Sequence, residues 1–237
     1  MDLKVEHKKN SLMKNILSCD KNPIIAEIKL SSPLRNTSIE HTDVVYIASA
    51  MEKGNAVGIS ILTEPNHFKG SLDNFMLVRK NSSLPLIMKD FIISRVQIDA
   101  ASKIGADAIL LIQALFDREY CDVDLKEMIQ YAHSYDIEVL LETHNEGEFQ
   151  RALNTRAELI GINNRDLRNL SVDLNITKEI LRKGYVQDRL VVTESGIAHP
   201  AHIKFLKDAG ASAFLVGTAI MSANNIEDKL KELMYTE

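Results

Sequence analysis

Residues 190–218, LVVTESGIAHPAHIKFLKDAGASAFLVGT, read as one complete strand–helix–strand unit. The apolar run 190–194 ends on Glu194, with Ser195 and Gly196 behind it. An amphipathic stretch then begins at His199, its apolar positions recurring at helical spacing, and stops at Gly210. A second apolar run, 213–216, leads into Gly217 and Thr218. Runs filled with Val, Leu, Ala and Phe, with little polar alternation, predict strands buried on both faces, as in a parallel sheet. Glycine just past a helix accepts the left-handed conformation that turns the chain into the next strand.

The same unit recurs upstream. Strands are predicted near 24–29, 57–62, 86–89, 108–112, 138–142 and 159–162, which with 190–194 and 213–216 makes eight. Between them lie HTDVVYIASAMEKG, SRVQIDAASKIGA, LKEMIQYAHSYD, EGEFQRALN and VDLNITKEILRKG, each with helical periodicity, and Gly54 and Gly105 are expected to act as stops like Gly210. Eight repeats predict an α/β fold of the (β/α)8 TIM-barrel type, with a doubly wound open sheet as the competitor. No GxGxxG follows the first strand, which disfavours a dinucleotide fold. No linker or low-complexity tract divides the chain, so residues 1–237 are read as one domain, with 1–23 an N-terminal extension and 24–237 the barrel. Within the extension, SLMKNIL is expected to form a short extra helix across the bottom or rim.

A net charge of −5 argues against general nucleic-acid binding, and no apolar stretch is long enough for a membrane span. The polar start MDLKVEHKKN leads into no secretory segment, so a cytoplasmic location is expected. Two cysteines, Cys19 and Cys121, make no framework and no CxxC. Of the histidines only His199 and His202 are close in sequence, at a helix start where capping is the commoner role, so no metal site is expected.

In a barrel, residues at the C-terminal ends of the strands converge on one mouth. Glu27, Lys29, Lys89, Glu142, Asn163 and Glu194 stand at such ends and would face one another there. A partly desolvated lysine has a lowered pKa and a carboxylate crowded by others a raised one, a mixed-sign cluster suited to proton transfers on a small anion. A purely structural ion-pair network would look the same from sequence. Gly196, Gly217 and Thr218 follow strands seven and eight, where barrels often hold phosphate on backbone N–H groups; tight turns demand small residues too. In GINNRDL, Asn163 and Arg165 are hydrogen-bonding groups that a self-satisfied turn would equally explain.

The segments AEIKLSSP, ISILTE with FKGSLDN, PLIMKDFI, GADAILLI, LLETH, IGINNRDL with VDLN, VTESGI and FLVGTAIM resemble, in order, the motifs of the indole-3-glycerol phosphate synthase family, from about residue 24 to 221. The resemblance implies a lyase of tryptophan biosynthesis that needs no cofactor. Such an enzyme cyclises, decarboxylates and dehydrates 1-(o-carboxyphenylamino)-1-deoxyribulose 5-phosphate. It implies Lys89 as the acid of ring closure, Lys29 and Glu142 in the dehydration, and Glu27, Asn163 and Glu194 in positioning substrate or tuning the lysines. Phosphate would lie on Gly196, Gly217 and Thr218, with Ser195 near it. Ser32 and Arg165 match further substrate contacts, and Phe68, Phe91, Leu110 and Leu167 match the apolar wall around the anthranilate ring.

Leu30 and the Leu34-Arg35 pair depart from the family pattern, and the stretch before the first strand is shorter than in many relatives and lacks an aromatic residue. A monomer acting on a small phosphorylated substrate is expected, with a second enzyme of the pathway as the partner left open. A phosphosugar isomerase or a Schiff-base aldolase on the same barrel remains an alternative reading, as does a catalytically weakened barrel that only binds a phosphorylated ligand.

Overall fold

The continuous apolar runs close on themselves. A computed structural model describes residues 7–29, 43–166, 169–183, 186 and 189–235. In it, β1 (Ile24–Ile28), β2 (Gly58–Leu62), β3 (Leu86–Lys89), β4 (Ala108–Ile112), β5 (Glu138–Thr143), β6 (Leu159–Asn163), β7 (Leu190–Glu194) and β8 (Ala213–Val216) pair in sequence order, and β8 returns to β1. Every pairing is parallel, so all C-terminal strand ends share one mouth. The open sheet is excluded by closure, through Ile24 against Phe214 and Ala26 against Val216.

Strand ends shift by a residue from the periodicity: β1 stops at Ile28, β2 starts at Gly58, β5 continues to Thr143 and β6 to Asn163. Thr143 extends β5 by pairing with Ile162 of β6, and its Oγ1 also donates to the Gly161 carbonyl at 2.7 Å.

One set of side chains, among them Ile25, Ile87, Leu110, Leu140, Val192 and Leu215, fills the barrel interior. The alternate set, including Ile24, Met88, Ile109 and Val139, packs beneath the surrounding helices. The helix Leu12–Ser18 buries Leu12 and Ile16 within the interior set and so closes the bottom, opposite the mouth. Gly58 permits that approach, since a Cβ there would stand 2.6 Å from Leu12 Cδ1. Polar groups pin the plug. Asp107, fully enclosed, accepts hydrogen bonds from Arg79 Nη1 at 2.7 Å, Leu86 N at 2.9 Å and Asn10 N at 2.9 Å. Glu138 accepts from Met13 N at 3.0 Å and from Ser11 Oγ.

Two of the three predicted glycine stops adopt the left-handed conformation, Gly105 at φ 85° and Gly210 at φ 109°. Gly54 does not: the next residue, Asn55, takes it at φ 64°. Gly54 instead answers to packing, because a Cβ there would meet Leu230 Cδ1 at 2.7 Å. Among the described residues, no helix is long and apolar enough to cross a membrane.

Candidate active site

Side chains alternate along each strand, so the same inward face that carries Ile25, Ile87, Leu140 and Val192 lower down presents Glu27, Lys89, Glu142 and Glu194 at the mouth. Lys89 Nζ lies 2.6 Å from Glu194 Oε2, 3.4 Å from Glu142 Oε2 and 4.0 Å from Glu27 Oε2. One lysine thus faces carboxylates from three other strands. All three carboxylates are buried, Glu194 at 1% exposure, and glycines leave the room that two of them need. A Cβ at Gly161 would come within 2.6 Å of Glu194 Oε1, and one at Gly217 within 2.7 Å of Glu27 Oε1.

Above this cluster opens a cavity of about 490 Å³. It is lined by every described residue predicted for the site: Glu27, Lys29, Lys89, Glu142, Asn163 and Glu194, then Phe68, Phe91, Leu110, Arg165 and Ser195, then Gly196, Gly217 and Thr218. Ser32, Leu167, Leu30, Leu34 and Arg35 lie outside the described residues. Phe68 and Phe91 face each other with ring centroids 6.2 Å apart, and Lys29 Nζ sits 5.2 Å from the Phe68 centroid. Leu110 and Ile112 continue the apolar side inward. Ser195 (φ 67°) and Gly196 (φ 83°) are consecutive left-handed residues, and Gly196 also lacks room for a Cβ against Val172.

The predicted pKa directions hold for Lys29 and Glu194 and reverse for Lys89 and Glu142. Burial lowers the Lys29 pKa, with Arg165 and Lys89 adding to the effect and Glu27 opposing it. Burial would lower Lys89 as well, but Glu194, Glu142 and Glu27 outweigh it and hold the ammonium well above its ordinary value. Glu194 is raised by burial, with Glu142 and Glu27 adding to it against the pull of Lys89. Burial pushes Glu142 the same way, yet Lys89, His144 and a hydrogen bond from Asn163 bring it below the usual carboxylate range. Lys89 is shared unequally: Glu142, with His144 beside it, is lowered, while Glu194 is raised.

The loop after β6 serves two purposes. Asn163 Oδ1 accepts from Arg165 N at 3.0 Å, the self-satisfied turn, while both residues line the cavity. Asn164, fully buried, ties the loop to β7 by donating to Thr193 Oγ1 and to the Glu194 carbonyl, each at 3.0 Å.

Comparison with known proteins agrees with this mouth. A model of the family described as Indole-3-glycerol phosphate synthase matches residues 1–233. The chain belongs to the indole-3-glycerol phosphate synthase family. It is 41% identical to the indole-3-glycerol phosphate synthase of Methanocaldococcus jannaschii, over 99% of this chain and 87% of that protein. It is 42% identical to the one from Acetivibrio thermocellus, over 88% of this chain and 78% of that protein. Among solved structures, an N-acetylmannosamine-6-phosphate 2-epimerase from Clostridium perfringens superposes with a TM-score of 0.65 at 15% identity, covering 91% of this chain and 93% of its own. At that identity the likeness is one of fold. The indole-3-glycerol phosphate synthase family comprises carboxy-lyases of tryptophan biosynthesis, so the chain is an enzyme of that class.

Four cavity-side features of this synthase-family barrel escaped the motif reading. Glu64 caps the helix Pro65–Phe68, accepting from Asn66 N, His67 N and Phe68 N at 2.8, 2.7 and 3.1 Å, which lowers its pKa against burial and aims Phe68 inward. Asp90 accepts from Thr63 Oγ1 at 2.6 Å and Phe91 N at 2.8 Å, fixing the start of the Phe91 loop. Asn164 makes the ties just described. His144 stands between Glu142 and Glu148, 3.1 and 3.5 Å from their carboxylates. The signal for His144 was its spacing, two residues beyond Glu142 on the same strand end. By contrast His202 Nδ1 accepts from Ala198 N at 3.2 Å, a helix-start role as expected.

Proposed function

We propose that the barrel mouth performs the family's reaction with Lys89 as the acid of ring closure. The observation that carries this reading is the placement of Lys89 beneath an aromatic-walled cavity with Glu194, Glu142 and Glu27 around its ammonium group. In the substrate, 1-(o-carboxyphenylamino)-1-deoxyribulose 5-phosphate, the ring carbon bearing the carboxylate attacks the ribulose carbonyl. The carbonyl oxygen becomes an alkoxide, a base strong enough to take a proton even from a lysine held strongly cationic. Glu194 and Glu142 then face a neutral amine and hold a place for the returning proton.

Loss of carbon dioxide restores the aromatic ring, and the new hydroxyl leaves as water. Lys29, with its lowered pKa, exchanges protons more readily near neutrality than Lys89 and suits protonation of that leaving group. Glu142, kept ionised, suits removal of the last proton. Glu27 and Asn163 orient the sugar, and Arg165 with Ser32 adds substrate contacts. Phe68, Phe91, Leu110 and Leu167 hold the anthranilate ring, leaving the phosphate to the backbone around Ser195, Gly196, Gly217 and Thr218. The enzyme acts as a cytoplasmic monomer without a cofactor; a net charge of −5 and two cysteines outside any framework support that setting.

A sugar-phosphate isomerase or aldolase would use the phosphate end and the lysines but has no use for the Phe68–Phe91 wall. Mixing the protein with the carboxyphenylamino substrate should generate indole fluorescence with one carbon dioxide and one water lost per turnover. Borohydride added with substrate should leave both lysines unmodified, whereas a reduced adduct on Lys29 or Lys89 would assign the barrel to Schiff-base chemistry.

A further inference from the structure

His144 is a titratable group beside the mouth that the roles assigned above do not use. It follows β5, its side chain 14% exposed, with Nε2 3.1 Å from Glu142 Oε1 and Nδ1 3.5 Å from Glu148 Oε2. Both ring nitrogens therefore face carboxylate oxygens. A neutral imidazole has one N–H and one lone pair, so either tautomer, in either ring orientation, would aim a lone pair at a carboxylate. The imidazolium is attracted from both sides, as two ion pairs that lack hydrogen-bond geometry.

Glu148 is itself fixed. It accepts from His144 N at 2.8 Å and from Asn145 Nδ2 at 2.6 Å, while Asn145 Oδ1 accepts from Glu148 N at 3.0 Å and caps the helix Glu146–Leu153. The helix cap thus becomes an anchor for the imidazole ring, and the ring for Glu142.

We propose that His144 is a positioning residue of the lyase reaction: as an imidazolium clamped by Glu148, it holds Glu142 ionised and turned toward the cavity. This inference rests on the assignment of Glu142 as the base of the dehydration. The groups facing the pair from neighbouring elements are Lys89 on β3, Asn163 on β6, Glu194 on β7 and Glu148 on the helix after β5. Asp117, after β4, is paired with Arg151 at 2.6 Å. Of the cations, Lys89 is shared among three carboxylates, which leaves His144 as the one that singles out Glu142. Burial opposes the charge on His144, yet Glu142 and Glu148 hold its pKa at about 10.

The test follows kcat against pH for His144→Asn, Glu148→Gln and Glu142→Gln, together with 15N NMR of the imidazoles in the unmodified enzyme. His144→Asn should move the acidic limb of kcat toward neutral pH by about one unit or more, with KM changed less than about threefold. Glu148→Gln, which keeps an oxygen acceptor, should move that limb in the same direction by less. The His144 nitrogens should both report N–H at pH 8. An acidic limb that stays in place in the folded variants overturns the proposal, and so does a neutral His144 at pH 8, a readout that stands even if His144→Asn fails to fold. A merely structural His144 would lower the melting temperature and leave the limb unmoved. Glu142→Gln separates the two ideas, because full activity in that variant removes the role of Glu142 itself, whereas its inactivity beside an unmoved limb in His144→Asn removes only the clamp.

Discussion

Lys89 and Glu194, 105 residues apart and carried by β3 and β7, meet across the barrel mouth at 2.6 Å. The contact joins strands that are not neighbours, so closure of the barrel creates it. Glu194 Oε1, the oxygen turned away from Lys89, is buried with no hydrogen-bond partner among the described residues. A buried carboxylate with one oxygen unsatisfied is costly to keep ionised, which agrees with its raised pKa.

The space for that carboxylate depends on Gly161. In Gly161→Ala the new Cβ would lie 2.6 Å from Glu194 Oε1 and 3.3 Å from the Glu142 Cα, so the carboxylate swings or the strands part. The expected cost is about 1–3 kcal/mol of stability, with kcat reduced at least about tenfold, measured by urea unfolding and by turnover. Unchanged kcat would show that the position of Glu194 is irrelevant to the chemistry.

Leu12 seals the other end. Leu12→Ala removes a fully buried side chain from the interior set and should destabilise the barrel by about 2–5 kcal/mol. The plug lies far from the mouth, so kcat at a temperature where the variant is folded should change by less than about twofold. A large loss of kcat in the folded variant would mean that the plug and the mouth are coupled.

Stability should carry the mark of His144 on the alkaline side. Its pKa is raised from 6.5 to about 10 by Glu142 and Glu148 against burial, so the folded chain holds this proton more tightly than the unfolded one. The contribution is fully present below about pH 6.5 and is lost as pH rises through about 10. The melting temperature of the unmodified enzyme should fall across that window, and that of His144→Asn should fall less. Parallel curves would contradict the ion-paired histidine.

Inorganic phosphate or sulfate should compete with substrate, because the backbone around Gly196 and Gly217 is assigned to the phosphate. Raising KM without lowering kcat is the expected pattern. An anion that leaves KM unchanged would detach the phosphate from these loops.

The strands were legible because parallel strands buried on both faces need unbroken apolar runs, and the mouth because Glu27, Lys89, Glu142 and Glu194 interrupt those runs only at their ends. Motif order supplied the family. What escaped depended on neighbours from distant segments. The opposite shifts of Glu142 and Glu194 followed from how Lys89 and His144 are shared, and the glycine at 54 from Leu230 packing against it. His144 looked like one more histidine until Glu148 and Glu142 stood on either side of it. The bottom position of Leu12–Ser18 rested on contacts with Gly58, Val57 and Glu138 that no local pattern announces.

The role of Lys89 is tested most directly by single-turnover indole fluorescence on Lys89→Met, with circular dichroism to establish that the barrel is intact. Methionine keeps the apolar stem and deletes the ammonium, so the account predicts a drop in the rate of ring closure on the order of 10³-fold or more with native-like secondary structure. A folded Lys89→Met enzyme that keeps most of the rate would contradict the assignment of the acid.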